Sequence, residues 1–275
     1  MLGPCWDRVR AAAPLIHCIT NYVTVNDVAN VLLACGASPV MADDPEEAEE
    51  VTSLAAGLCL NIGTLHRYTI PAMFAAGKRA NSLGHPVVLD PVGAGSSALR
   101  TRTALELVQT LWPAVIRCNM SELKALTGRL EEARGVDAAP ADRVTEENLE
   151  GAISFVKWAA ACFGTVAAVT GAIDLVSDGT RCCVIRNGRP EMGRVTGTGC
   201  QLSALAAACA CLAACPERPL EAAAAAVASM GLAGEIGWSN MQPTDGNSTY
   251  RNRIIDAIYN MTGKELEKGA KYEIR

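Results

Sequence analysis

Aromatic residues are scarce in this 275-residue sequence, at 4%, and charged residues reach only 19%. With so few large rings available, alanine, leucine and valine must fill the interior, and a hydrophobic share of 50% lets them do so. No excess of basic residues exists. Lys and Arg number 24 against 29 Asp and Glu, a net charge of −5, which argues against a nucleic-acid partner, whose surface calls for a basic stripe. No Cys-x-x-Cys pair occurs among the 12 cysteines, which lie scattered through apolar runs from Cys5 to Cys215. Cys209, Cys211 and Cys215 have no histidine beside them. Packed thiols are therefore expected, not a disulfide framework or a zinc site, and so many free thiols imply a reducing, cytoplasmic setting.

Other absences narrow the class further. Residues 1–10 carry Asp7 and two arginines and lack the basic-then-apolar order of a leader. The most apolar stretch read from the sequence, 202–215, is too short and too alanine-rich to span a membrane, so no membrane partner is expected. The Asn-x-Ser/Thr triplets at Asn119, Asn247 and Asn260 are then chance matches. No internal repeat is found. Residues 128–143, of mixed charge and containing Pro140, read as a loop inside one domain covering 1–275.

What is present alternates. Short β-branched runs are followed by helical segments, and the first element read is a strand over 14–20. A helix follows over 24–35, with Thr24-x-x-Asp27 shaped like a capping box and Gly36 as its stop. Strands are predicted at 39–41, 58–63, 86–90, 114–119 and 165–171. Helices are predicted at 45–56, Thr69–Leu83, Ala98–Leu111, from Ser121, and over 145–162. Residues 174–187 read as a hairpin turning at Asp178-Gly179, and the last third, 200–261, as helical. Strands alternating with helices predict an α/β layered fold with a mostly parallel sheet, and such sheets bind ligands at the carboxyl ends of their strands.

Several candidate segments close predicted strands or open helices. Thr196-Gly197-Thr198-Gly199-Cys200 is a glycine-rich turn running into an apolar helix. Such a turn offers unpaired N–H groups and the positive helix end to a phosphate or oxyanion. Cys200 in the first turn is expected to have its thiol pKa lowered there. The same residues also suit a plain strand-to-helix connection with a buried cysteine. Asp90, before Pro91, projects from an apolar strand and is suited to Mg²⁺ or to loop N–H groups. Arg117, in Arg117-Cys118-Asn119-Met120-Ser121-Glu122, suits a nucleotide phosphate. Glu122 can share the metal, or serve as the first-turn glutamate of a helix capped by Asn119. Thr170 and Gly171 can contact a nucleotide or form a turn. Asn21 follows the first strand and can bind a substrate heteroatom, and Met41 can line a pocket or belong to the core. His17 reads as a core histidine. No GxxxxGK[ST] loop exists, and Gly93 and Gly95 complete no dinucleotide fingerprint.

In combination, these residues resemble a known family. His17-Cys18-Ile19-Thr20-Asn21-Tyr22-Val23, Asn61-Ile62-Gly63-Thr64-Leu65, Val88-Leu89-Asp90-Pro91-Val92-Gly93-Ala94, Ile116-Arg117 with Asn119 and Glu122, Ala168-Val169-Thr170-Gly171, and Gly197-Thr198-Gly199-Cys200 resemble hydroxyethylthiazole kinases, in order, over about 14–205. The resemblance implies a ribokinase-like three-layer α/β fold and a role in thiamine salvage. The reaction it implies is phosphorylation of 4-methyl-5-(2-hydroxyethyl)thiazole by ATP with Mg²⁺. It further implies that Met41 and Gly197 contact the thiazole, with Asn21, Gly63 and Thr64 lining its pocket. Arg117 and Thr170 would contact ATP, and Asp90 and Glu122 would hold Mg²⁺. Cys200 would stand where related kinases place an aspartate base, on the Gly197-Thr198-Gly199 turn, and the protein would form homotrimers with sites at subunit boundaries. One departure is visible. The family's glycine-rich Gly-Pro-Gly-Ser-Phe stretch is replaced by Asp245-Gly246-Asn247-Ser248-Thr249-Tyr250. Kinases for hydroxymethylpyrimidine or pyridoxal, and a ligand-binding relative without catalysis, are the alternatives.

Overall fold

A computed structural model describes residues 2–128, 142–211 and 214–275. The loop read at 128–143 therefore lies almost wholly outside the described residues. The strands are β1 (Leu15–Ile19), β2 (Ser38–Val40), β3 (Gly57–Asn61), β4 (Val87–Asp90), β5 (Val115–Asn119), β6 (Val166–Thr170), β7 (Asp174–Ser177), β8 (Cys182–Ile185) and β9 (Tyr272–Ile274). They form one sheet in the order β2-β1-β3-β4-β5-β6-β7-β8-β9. Every pairing from β2 to β6 is parallel, and the β7, β8 and β9 pairings are antiparallel. The predicted hairpin is the β7–β8 pair.

The helices are α1 (Gly3–Ala12), α2 (Val25–Cys35), α3 (Ala48–Leu54), α4 (Thr69–Leu83), α5 (Ala98–Leu111), α6 (Met120–Leu126), α7 (Leu149–Phe163), α8 (Thr198–Ala210), α9 (Pro219–Ser239), α10 (Asn247–Asn260) and α11 (Gly263–Gly269). They cover both faces of the sheet, so its central strands are buried on both sides and read as continuous apolar runs. Alternation along each strand sorts side chains between two cores. In β3, Leu58 and Leu60 enter the core shared with α4, α5 and α7, while Cys59 enters the one shared with α1, α2, α8 and α9. The second core is built largely from alanine. Ala204, Ala206, Ala207, Ala222, Ala224 and Ala226 are all buried, and small side chains let α8 and α9 lie close to the sheet and to each other. Among the described residues α9 is long and apolar enough to cross a membrane, but 89% of its apolar window is buried inside the molecule, as expected of a core helix.

The expected elements form with small shifts, and some local chemistry differs. The Thr24–Asp27 capping box does not form. Thr24 Oγ1 donates instead to Asn21 Oδ1 at 3.1 Å, so the hydroxyl is spent on the preceding loop. A capping box does form at α6, where Asn119 Oδ1 accepts from Glu122 N and Glu122 Oε2 accepts from Asn119 N, each at 2.8 Å. The helical last third is divided into α8, α9 and α10. Three further elements, α1, α11 and β9, lie outside the predicted set. In α1, Leu2, Cys5, Trp6 and Val9 point inward, and Trp6 Nε1 donates to Met261 O at 2.9 Å. The short β9 exists only through its pairing with β8.

Candidate active site

Five neighbouring parallel strands end at one edge, and the polar residues at their ends join hands across it. Asn21, just after β1, donates through Nδ2 to Asn61 Oδ1 at the end of β3, at 3.0 Å. Asn61 Nδ2 donates to Asp90 Oδ2 at the end of β4, at 2.9 Å. Arg117 of β5 lies 3.5 Å from the same oxygen through Nη1, and its Nη2 donates to Thr170 Oγ1 at the end of β6, at 2.7 Å. The parallel register sets Asn61 opposite Asp90, while Arg117, two residues before the end of β5 and opposite Ala168, reaches forward along the sheet to Thr170.

The first turn of α8 seals this row. Its N-cap, Gly197, has φ of 86°, a left-handed conformation suited to glycine. A Cβ there would stand 2.5 Å from Thr24 Cγ2. At Gly199 a Cβ would stand 2.5 and 2.7 Å from Arg117 Nη1 and Nη2, so the helix backbone rests directly on the guanidinium. No side chain caps the helix start. Cys200 Sγ accepts from Asn21 Nδ2 at 3.1 Å, and Ser203 Oγ donates to Asp90 Oδ2 at 2.6 Å. The glycine-rich turn, Asp90, Arg117, Thr170 and Asn21 are thus one constellation.

Burial sets the charges. Asp90 is fully buried, and burial pushes its carboxyl up against the opposing pull of Arg117, Ser203 and Asn61. Its Oδ2 takes all three partners, while Oδ1 is buried with none. Glu122 is pushed up to about 7 by burial and then by Asp90, opposed by the N–H groups of Asn119 and Gly93. Gly93 N donates to Glu122 Oε1 at 2.8 Å. For Arg117 burial acts downward, but Asp90, Glu122 and Cys200 outweigh it and the net shift is upward, so the guanidinium stays charged. Arg117 Nε is buried and unpartnered.

Cys200 departs from the sequence expectation. Its thiol is raised, not lowered: burial and then Asp90 outweigh the polar contacts of Thr24 and Asn21 and the charge of Arg117. A position in the first turn does not compensate for burial of the thiol and a carboxylate nearby.

The remaining expected residues lie around this centre. Gly63 N donates to Asn61 Oδ1 at 2.9 Å, and Thr64 Oγ1 accepts from Tyr22 N at 3.2 Å, so both belong to the loop beside Asn21. Met41 follows β2, the edge strand beside β1, and is half-buried against the α8-side core. His17 is a core histidine, bonded to Thr52 and Ala42 O. Asn61 and Ser203 have no role in the sequence reading, and Thr24 enters it only as a helix cap. Asn61 carried the same signal as Asp90, a polar residue closing a fully buried strand. Ser203 sits within a run of small residues and gave none.

Among the described residues no group of three or more His, Cys, Asp or Glu is arranged to hold a metal. Mg²⁺ does not need one, since it keeps several waters and takes one or two carboxylates plus phosphates. The unpartnered Oδ1 of Asp90, with the Asp90 carboxylate near enough to help push the Glu122 carboxyl up, fits that donor set.

Comparison with known proteins identifies the family. The chain matches the model of the hydroxyethylthiazole kinase family over residues 6–264. It is 50% identical to a hydroxyethylthiazole kinase of Clostridium acetobutylicum over 273 residues, 99% of each chain. It is 44% identical to that of Desulfovibrio desulfuricans over 268 residues, 94% of this chain and 93% of the relative. The structure of a hydroxyethylthiazole kinase protein from Pyrococcus horikoshii superimposes with a TM-score of 0.87 at 37% identity, covering 100% of this chain and 98% of that one. A pyridoxal kinase from Staphylococcus aureus in complex with ADP shares the fold alone, with a TM-score of 0.63 at 15% identity over 95% and 97% of the chains. The fold is thus ribokinase-like, and on sequence and structure together the chain belongs to the hydroxyethylthiazole kinase family.

Proposed function

We propose that this chain transfers the γ-phosphoryl group of ATP to the hydroxyl of 4-methyl-5-(2-hydroxyethyl)thiazole, a step of thiamine salvage. The observation that carries the reading is the row of five strand ends, Asn21-Asn61-Asp90-Arg117-Thr170, closed by the uncapped first turn of α8.

Phosphoryl transfer has a loose transition state with charge on the equatorial oxygens, so placement and charge stabilisation dominate. Arg117 and Thr170 bind ATP, the guanidinium gripping phosphate oxygens in two directions. The unpaired N–H groups of Thr198, Gly199 and Cys200 face the transferring group, aided by the helix dipole. Asp90 and Glu122 hold Mg²⁺, which when bound neutralises phosphate charge. Met41, Gly197, Asn21, Gly63 and Thr64 hold the thiazole. Cys200 takes the hydroxyl proton, and only a thiolate can accept it. Since its thiol is raised, this contribution grows with pH and is small near neutrality. General-base help is worth about 10²–10⁴-fold, so the enzyme retains most of its acceleration without it.

The protein acts as a cytoplasmic homotrimer with sites at subunit boundaries. Tyr22 and Val23, directly after Asn21, are 76% and 59% exposed, an apolar rim that a second copy covers. All 12 cysteines are unpaired, in keeping with a reducing compartment.

ADP release measured side by side with the thiazole alcohol, pyridoxal and hydroxymethylpyrimidine tests the reading. Preference for the thiazole alcohol is expected. Release faster with either other alcohol moves the chain to another kinase class, and release with none refutes phosphotransfer.

A further inference from the structure

Arg100 is placed against the local electrostatics of its own helix. It is the third residue of α5, and its N–H donates to the N-cap Ser97 Oγ at 3.2 Å. The positive end of a helix disfavours a cation there. Its side chain turns back and makes two short bonds to loops on either side of the site. Nη1 donates to Val92 O at 2.7 Å, and Nη2 donates to Gly63 O at 2.6 Å. The guanidinium passes over Gly93, where a Cβ would stand 2.8 Å from Nη1.

The two loops belong to different halves of the constellation. The β4–α5 loop contains Gly93, whose N–H fixes Glu122. The β3–α4 loop contains Gly63, packed on Asn61 and Asn21, and Asn21 in turn bonds Cys200. We propose that Arg100 is a positioning residue: it clamps the Gly63–Thr64 loop, which lines the alcohol subsite, against the loop that orients Glu122. The assignment of Gly63 to the alcohol subsite rests on the phosphotransfer reading above; the clamp itself does not.

The loops are unequally secured without it. The β4–α5 loop is also tied by Ser96 Oγ and Ser96 N to Gly93 O at 2.6 and 3.0 Å, Gly95 N to Thr101 Oγ1 at 2.8 Å, Ala94 N to Pro91 O at 2.9 Å and Gly93 N to Glu122 Oε1 at 2.8 Å. The β3–α4 loop has Gly63 N to Asn61 and the contact between Tyr22 N and Thr64, with Ile62 N bonded to Asp90 O at 3.1 Å. Losing the clamp therefore loosens the Gly63 side first.

Hydrogen exchange on the ligand-free chain, with kinetics alongside, tests this in Arg100→Met and Arg100→Lys. In Arg100→Met the amides of 62–65 should exchange about tenfold faster, the effect of one lost charge-assisted bond, with a smaller change in 91–97. The KM for the alcohol should rise about tenfold with the KM for ATP within about twofold. Arg100→Lys, which can reach one carbonyl but cannot fork to two, should fall between. Acceleration confined to 91–97 and the start of α5, or none in 62–65, overturns the clamp; if Arg100→Met does not fold, Arg100→Lys decides by the same criterion. An equal rise in both KM values overturns its placement on the alcohol side. Should the unaltered chain release no ADP with the thiazole alcohol, the functional reading fails, and the exchange result still decides the clamp.

Discussion

Gly199→Ala is the sharpest perturbation the structure offers, because it sets helix stability against site geometry. A methyl at 199 would stand 2.5 Å from Arg117 Nη1 and 2.9 Å from Cζ. Restoring ordinary contact requires a shift of about 1 Å. Arg117 has little room to give, since Nη2 is bonded to Thr170 Oγ1 at 2.7 Å and Nη1 faces Asp90 Oδ2 at 3.5 Å. A shift of that size exceeds the slack of a hydrogen bond. Losing one charge-assisted bond costs about 1.5–3 kcal/mol, so kcat/KM for ATP should fall about tenfold to a hundredfold. Alanine is the better helix former by up to about 1 kcal/mol, so thermal stability should hold or fall only slightly. A coupled ADP-release assay and a melting curve measure the two quantities. Undiminished kcat/KM for ATP in a folded Gly199→Ala protein would refute the idea that the helix backbone fixes the guanidinium. Gly199→Val should be worse, since the second methyl and β-branching add strain at the helix start.

Arg117→Lys should raise the KM for ATP at least about tenfold, because one ammonium cannot span Asp90 and Thr170 as the fork does; titration with an ATP analogue checks this. Cys200→Ala should slow turnover while leaving ATP affinity within about twofold. Because the thiol is raised above its usual value, the parent's kcat should keep rising into the alkaline range and the variant should lose that rise; identical pH profiles would remove Cys200 from the role of base. Glu122, at about 7 when folded against 4.5 as its ordinary value, binds a proton in the folded protein that the unfolded chain has released between those values. Its contribution to stability is therefore present below about 4.5 and falls as pH rises toward 7, by at most about 3 kcal/mol. Urea midpoints at pH 5 and 7.5 should differ in that direction, and Glu122→Gln should flatten the difference.

Much of this molecule was readable before any coordinates. Parallel strands buried on both faces show as short apolar runs, and Val87–Asp90, Val115–Asn119 and Val166–Thr170 fall close to where those runs lie. The paired Asn119 and Glu122 mark a real helix start. Helix α1 is absent from the sequence reading, although Leu2, Cys5, Trp6 and Val9 carry helical spacing. By contrast β9 has only three residues and no periodicity of its own, so long-range pairing alone creates it.

The sequence by itself determined which polar residues close the strands and that a glycine turn precedes α8, because these depend on local patterning. The tertiary structure decided what those groups do to one another. Thr24 looked like a cap but bonds Asn21 once β1 and α2 are in place. Cys200 looked activated by its helix start, yet burial beside Asp90 raises it. The use of Ser203 and Arg100 depends on chain segments brought together from 113 and 37 residues away. Local propensity fixes where a side chain can begin; desolvation and charge, which depend on everything packed around it, fix its chemistry.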